Sequence, residues 1–530
     1  MKNFPFRSIV PLISVVAFAG GCGQPAQESK RPNILFIMSD DHTQKAISAY
    51  GHNLIQTPHI DRLAKEGVLF RSSFVTNSIC APSRAVLLTG KYSHLNGKVD
   101  NHSTFDWDQP NFAKMLQAGG YQTALVGKIH LNGNPQGFDY SIVLPGQGQY
   151  YNPVFIENGE RKQFEGHSTP LTTEFAINWL ENIREKDKPF MLMYHQKAPH
   201  RNWLPEEKYL DYLEDVEFEF PHNFFDDYEG RGLAARQQEM EIVDHMFWGH
   251  DMKFVLDPYT GEPTGFENEL SRMNETQRAA WENAYNPRNE AFLREMPEGR
   301  ELAKFKYHRY LRDYLKMIKG VDDGVGEVLA YLEAKGLLDN TIIVYTSDQG
   351  FYLGEHGWYD KRFMYEQSFS TPLLIRYPKE IKAGTENNDL ILNLDMAPTL
   401  LDYAGVEIPA DMQGVSMRGL LAGKKMPWRD AIYYHYYEYP SVHMVKRHYG
   451  VRTERYKLIH FYYDIDEWEL YDLWNDPDEM NNLYGSSEGD IPQVRRMMHL
   501  KLEELRTQYG DSDQSAQHFL HTYLESLKKN

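Results

Sequence analysis

Asn33-Ile-Leu-Phe-Ile-Met38, followed by Ser39-Asp40-Asp41, is a short unbroken apolar run that ends in acid. With no polar alternation, it has the pattern of a parallel strand buried on both faces. Open α/β sheets place their sites at the carboxyl ends of such strands. The pattern recurs downstream. Thr123-Ala-Leu-Val-Gly127 runs into Lys128-Ile129-His130, Phe190-Met-Leu-Met-Tyr194 into Lys197-Ala-Pro-His200, and Thr341-Ile-Ile-Val-Tyr345 into Ser347-Asp348-Gln349-Gly350. Helical spacing fills the gaps between them, as at Pro58 to Gly67 and Asn111 to Ala118. Strand and helix alternate, so the expected fold is α/β, with a large mostly parallel sheet sandwiched by helices.

The texture changes along the chain. Trp203 to about Lys304 is rich in charge and aromatics and reads as an insertion of helices and loops. Pro378 to Asn388 reads as a surface connection and Leu390 to Gly405 as a helix. Beyond Trp428 the segments Ala431 to Tyr437, Tyr449 to Thr453 and Tyr456 to Phe461 alternate and are rich in Tyr, which predicts an antiparallel sheet. Asp472 to Leu483 reads as a loop and Gln493 to Tyr509 as a closing helix. The expected organisation is a main domain over 31–427 and a smaller carboxyl-terminal α+β subdomain over 428–530.

The first residues read as an export signal. Lys2 and Arg7 precede Ile9 to Phe18, an apolar stretch too short to span a bilayer permanently. Ala19-Gly20-Gly21-Cys22 resembles a bacterial lipobox, so residues 1–21 would be removed, Cys22 lipidated, and 22–30 left as a polar tether. The alternative is an ordinary small-residue cleavage site. The expected location is periplasmic or on the outer membrane, with membrane contact only through the Cys22 anchor. The chain has 530 residues and a formal net charge of −19, which argues against nucleic acid or an anionic membrane surface as partner. With two cysteines in all, one of them in the signal, a mature internal disulfide is not expected. Cys80 is then a lone thiol in an exported protein: either an inert buried cysteine or a reactive one.

Its neighbours decide. Cys80-Ala81-Pro82-Ser83-Arg84, with Leu87-Leu88-Thr89-Gly90 after it, resembles the sulfatase signature, in which a cysteine two residues before proline and four before arginine is oxidised to formylglycine. Asp40-Asp41, Lys128-Ile-His130, His200, Asp348-Gln349-Gly350 and Lys361 follow in family order. The resemblance spans about Arg31 to Leu520 and implies an alkaline phosphatase-like fold. It also implies one calcium ion held by Asp40, Asp41, Asp348, Gln349 and the converted Cys80, and a partner maturase that makes formylglycine. Gln349 stands where many relatives carry Asn; both offer an amide oxygen. A hydrated aldehyde has two hydroxyls on one carbon, so one can attack sulfur and the other later expel sulfate. Hard oxygen ligands suit calcium, which would lower a hydroxyl pKa and polarise the sulfuryl oxygens. Arg84 would hold the formylglycine and Lys128 a sulfuryl oxygen. His130 would be the base for sulfate release, and His200 and Lys361 would bind the bridging oxygen and protonate the leaving alcohol.

The expected substrate is a sulfated saccharide. Lys197-Ala-Pro-His200-Arg201-Asn202-Trp203 and Tyr359-Asp360-Lys361-Arg362 resemble sulfatases acting on the 6-O-sulfate of N-acetylglucosamine, as in heparan sulfate. By that likeness Asp360 and Arg362 hydrogen-bond sugar hydroxyls; alternatively they form a salt bridge that shapes the Lys361 loop. His448 is a further candidate for reaching the sugar, in competition with His443 and His435. Trp203 and Trp358 are candidate stacking platforms or core. Rival functions are action on another glycan sulfate position, a phosphatase or phosphonate hydrolase of the same superfamily, and a non-catalytic glycan-binding lipoprotein.

Overall fold

The computed structural model describes residues 31–528, with Met1 and Pro5; the signal, the tether and Cys22 otherwise lie outside the described residues. From Arg31 onward the chain is one compact unit, so the segment from 428 does not part from the rest as a separate body.

The central sheet has ten strands. Its core is five parallel strands: β1 (Asn33–Ser39), β2 (Gln122–Lys128), β3 (Tyr140–Leu144), β4 (Phe190–His195) and β5 (Thr341–Ser347). They lie in the order β5-β1-β4-β2-β3. β1 and β5 are buried at every position, which is why their sequence shows no alternation. Leu373–Arg376 pairs antiparallel beyond β5, and Thr385–Asn387 supplies an edge strand within the stretch expected to be a surface connection. Leu390 to Gly405 also departs from expectation. It opens with the short strand Ile391–Leu392, pairs with Ser73–Phe74, and becomes an α-helix only at Met396–Ala404.

Register places the strand ends side by side. Ser39 pairs with Ser347, so Asp40 and Asp348 emerge together. Gly127 pairs with His195, so Lys128 emerges beside the loop to His200. Gly127 has φ of +102°, and a Cβ there would lie 1.9 Å from the His195 carbonyl oxygen, so only glycine allows this approach.

Helix α1 (Cys80–Thr89) starts at this row of strand ends, with all ten of its residues buried. The insertion is loops and short helices as far as Glu275–Glu295. It then runs into α2 (Gly299–Ala334), whose 36 residues extend well beyond Lys304 and pack on the sheet. The carboxyl-terminal sheet is antiparallel: β6 (Ala431–Tyr436), β7 (His448–Thr453), β8 (Tyr456–Phe461) and β9 (Glu467–Asp472). It shares a core with Phe74, Tyr92 and the 352–369 loop. Sequence reading placed three of these strands and the helix Ile491–Tyr509, and missed β9 and a last helix, Asp513–Leu527. Among the described residues no helix is long and apolar enough to cross a membrane.

Candidate active site

Three carboxylates meet at the ends of β1 and β5. Asp40, Asp41 and Asp348 are buried and offer oxygens within 4.8 Å of one another. Arg84, one turn into α1 and so on the same face as Cys80, donates to Asp348 Oδ2 from Nε (2.9 Å), with Nη2 in ion-pair contact at 2.8 Å, and from Nη1 to the Lys128 carbonyl (2.5 Å). The Lys128 ammonium meets Asp40 and the amide oxygen of Gln147. Lys361 donates to both oxygens of Asp41, at 2.7 and 2.8 Å. Cys80 is 1% exposed at the amino terminus of α1, where the helix dipole favours negative charge, and its sulfur lies 3.9 Å from Gln349 Nε2.

Burial and charge set the titration. Burial, reinforced by Asp40, raises Asp348 to about 7. Burial raises Asp41 to about 6 against the pull of Lys361. At Asp40 burial is overcome chiefly by Lys128, with Arg84 and Lys361, which hold the carboxyl well below its usual range. Burial, helped by Lys128, pushes His130 and His200 far below the ordinary imidazole range, so both are neutral and available as bases near pH 7. His200 sits with Nε2 3.9 Å from Asp41 Oδ2, while its Nδ1 donates to the Arg201 carbonyl and so fixes the tautomer.

The donor set fits a hard divalent cation. Oδ1 of Asp40 and Oε1 of Gln349 are buried without a hydrogen-bond partner, as expected of groups shaped for an ion, while Oδ2 of Asp40 faces the Lys128 ammonium. Gln349 presents Nε2 to Asp41 here. A half turn of the amide exchanges the two ends and presents the oxygen.

A second cluster stands next to this one. Asp360 lies 3.4 Å from Arg362 Nε and 3.3 Å from His443 Nε2, and Arg362 Nη1 is 3.6 Å from Glu438. The Asp360–Arg362 ion pair considered from sequence is therefore present. Arg362 Nε and Nη1 nonetheless have no hydrogen-bond partner of good geometry, which leaves donors for a ligand. The insertion braces the cluster: Glu239 N donates to the His443 carbonyl (2.8 Å), and His443 Nδ1 donates to the Glu239 carbonyl (2.7 Å). Tyr359 N donates to the Met240 carbonyl at 2.9 Å.

One expectation is corrected, and an open choice is decided for Trp203 and Trp358. His448 is fully buried. Its Nε2 accepts the Met364 N–H (3.0 Å), its Nδ1 donates to the Lys446 carbonyl (2.7 Å), and its ring packs on Tyr434 and Phe461, so it does not reach a sugar. His443 is the histidine that faces Asp360. Trp203 and Trp358 are fully buried and present no stacking face. Sequence reasoning also missed Gln147, although it follows the end of β3 as the other site residues follow their strands. Glu438 and Glu239 carried no such signal.

Residues 32–406 match the family model described as sulfatase, and 354–508 the one described as N-sulphoglucosamine sulphohydrolase, C-terminal. The chain belongs to the sulfatase family. It is a hydrolase of sulfate esters. This sulfatase is 50% identical over 523 residues to an N-acetylglucosamine-6-O-sulfatase of Bacteroides thetaiotaomicron, covering 97% of this chain and 93% of the relative. It is 27% identical to the human N-acetylglucosamine-6-sulfatase, covering 82% of this chain and 72% of that one. A protein solved in complex with its substrate D-glucosamine-2-N,6-O-disulfate superposes with a TM-score of 0.88 at 49% identity, covering 92% of this chain and 99% of that chain. A phosphonate monoester hydrolase of Agrobacterium radiobacter shares the fold, with a TM-score of 0.68 at 22% identity over 90% of this chain and 96% of that one.

Proposed function

We propose that this sulfatase removes the 6-O-sulfate of N-acetylglucosamine-type sugars, using calcium and a formylglycine made from Cys80. The observation that carries the sugar assignment is the likeness along 97% of the chain to a relative named for that activity. The pairing of Asp360, Arg362 and His443 beside the carboxylate cluster supports it, because an acidic and a basic group together suit a diol.

Asp40, Asp41, Asp348 and Gln349 would hold the calcium ion, which when bound supplies Lewis acidity toward the sulfuryl oxygens. The aldehyde hydrate at position 80 would supply the attacking hydroxyl and a second one to expel sulfate. Arg84 and Lys128 orient that hydroxyl and the sulfate where negative charge builds. Lys361, its ammonium held far above its usual range by Asp41 in spite of burial, donates toward the leaving oxygen. His200 points Nε2 into the same space. His130, neutral and with Nδ1 unpartnered, takes the proton that triggers sulfate release. A maturase is the implied partner. Export as a Cys22-anchored lipoprotein completes the proposal, and labelling with a fatty-acid analogue would test it, since a C22A chain should lose the label.

A panel of defined sulfated mono- and disaccharides tests the sugar assignment: 6-sulfated N-acetylglucosamine should be the fastest substrate, and preference for any other sulfate position sinks it. Paired aryl phosphate and aryl sulfate rates test the reaction class, with sulfate expected to be faster. Mass analysis of the Cys80 peptide should show the aldehyde in place of the thiol.

A further inference from the structure

Lys197 lies between β4 and His200, is 3% exposed, and has no assigned task. Other buried lysines find oxygen: Lys316, Lys361 and Lys457 reach carboxylates, and Lys98, Lys253 and Lys306 reach backbone carbonyls. The Lys197 ammonium makes no hydrogen bond and no ion pair among the described residues. It sits over the face of the Tyr150 ring, 4.3 Å from the ring centre. A buried cation with no carboxylate in contact is costly, and a tyrosine face offsets only part of that cost.

The residue is nonetheless tied to the site. Its backbone carbonyl accepts the His200 N–H (3.0 Å), and the Tyr150 hydroxyl donates to the His200 carbonyl (2.6 Å). The carboxylates of Asp40 and Asp41 are contacted by Lys128 and Lys361 and not by Lys197, although both carboxylates act on its charge from further off, as does Glu269. Burial, with Lys128 acting as a like charge, brings the amine down to about 7. An arriving anion would reverse that shift.

We propose that Lys197 is a specificity-determining residue that receives a second anionic oxygen group of the substrate, apart from the sulfate being cleaved. The inference rests on the sulfated-sugar reading above. The second anion has two possible sources of the same chemistry: a sulfate on the 2-nitrogen of the same sugar, or the carboxylate of an adjoining uronic acid.

The test compares the wild type with K197M and K197R on three substrates: N-acetylglucosamine 6-sulfate, glucosamine 2-N,6-O-disulfate, and a 6-sulfated N-acetyl disaccharide carrying a uronic acid. K197M should reduce the kcat/KM preference for one doubly anionic substrate over the singly anionic one by about tenfold, as expected for loss of a charge-assisted hydrogen bond, and K197R should restore most of it. The substrate that moves identifies the source. Equal loss on all three would make Lys197 a prop for Tyr150 and His200, and an unchanged preference would leave it without a role; either overturns the proposal. Calorimetric binding of glucosamine N-sulfate and of the unsulfated uronate disaccharide, each against N-acetylglucosamine, reads the same ratio without turnover. If the wild type cleaves none of the three substrates, the activity proposal fails while the binding ratio still decides on Lys197.

Discussion

Asp40, Asp41, Asp348 and Lys128 stand on the ends of parallel strands of one sheet, fixed by in-register pairing. Asp360, Arg362 and His443 stand on irregular loops and are held by backbone hydrogen bonds from an insertion more than a hundred residues away in sequence. Under the function proposed above, the first group would hold the reacting sulfate and the second would face the sugar. Chemistry that must not vary is built on the rigid sheet, while recognition is built where segments can be exchanged without disturbing the strands.

If that division is right, damage to the strand-end group is blind to the rest of the substrate. R84M should lower kcat/KM at least 10²–10³-fold on sugar sulfates and aryl sulfates alike, since it removes a donor from the site of charge development. Leaving buried carboxylates uncompensated should also cost about 3–5 kcal/mol of stability, read in denaturant titrations. Chelation should likewise abolish turnover of both substrate types, with calcium restoring it better than magnesium, which prefers a tighter shell and more water. The loop group should behave differently. D360N and H443A should lower kcat/KM on the 6-sulfated sugar by about 10–100-fold and leave aryl sulfate turnover within a few-fold, as for loss of one or two charged hydrogen bonds. Equal losses on both substrates would erase the distinction.

The smallest effect concerns acid. His448 supports Met364 N, two residues past Arg362, and burial lowers its pKa to about 3. Its folded pKa lies below the unfolded value near 6.5, so the unfolded chain binds the extra proton first as pH falls. The stability it contributes is fully present above about 6.5 and is lost progressively below that pH. At pH 5 the loss is about 2 kcal/mol by the linkage relation. H448Q, which keeps one acceptor and one donor but cannot charge, should show a shallower fall of Tm between pH 7 and 5. The sugar-to-aryl rate ratio should then survive acid better than in the wild type.

The same contrast explains what could be read from sequence. Four core strands are unbroken apolar runs, and a residue following such a run is placed by the sheet with no further information; that is why Asp40, Lys128, His200 and Asp348 could be named in advance. Cys80, Arg84 and Lys361 came from family order. Sequence left His448 in competition with His443 and His435, because the turn that carries His443 has no period to place it. Glu239 acts through its backbone, so its side chain gave no hint. The helix Asp513–Leu527 lies past the apparent closing helix and fully buries only Ala516 and Tyr523, so little of it is fixed by the core.

Asp41, His130, Asp360, Arg362 and His443 all have positive φ, at 66, 54, 74, 96 and 69°. Ordinary side chains are rarely held there, each at a cost of about 1–3 kcal/mol. The consequence is a narrow mutational neighbourhood. Valine, isoleucine or threonine at any of these positions would offend the backbone before the chemistry is asked anything, while asparagine and glycine relieve it. Drift in a descendant of this chain should therefore pass through asparagine or glycine at these five places. A lineage that exchanged one sugar for another would carry that trace in its loops.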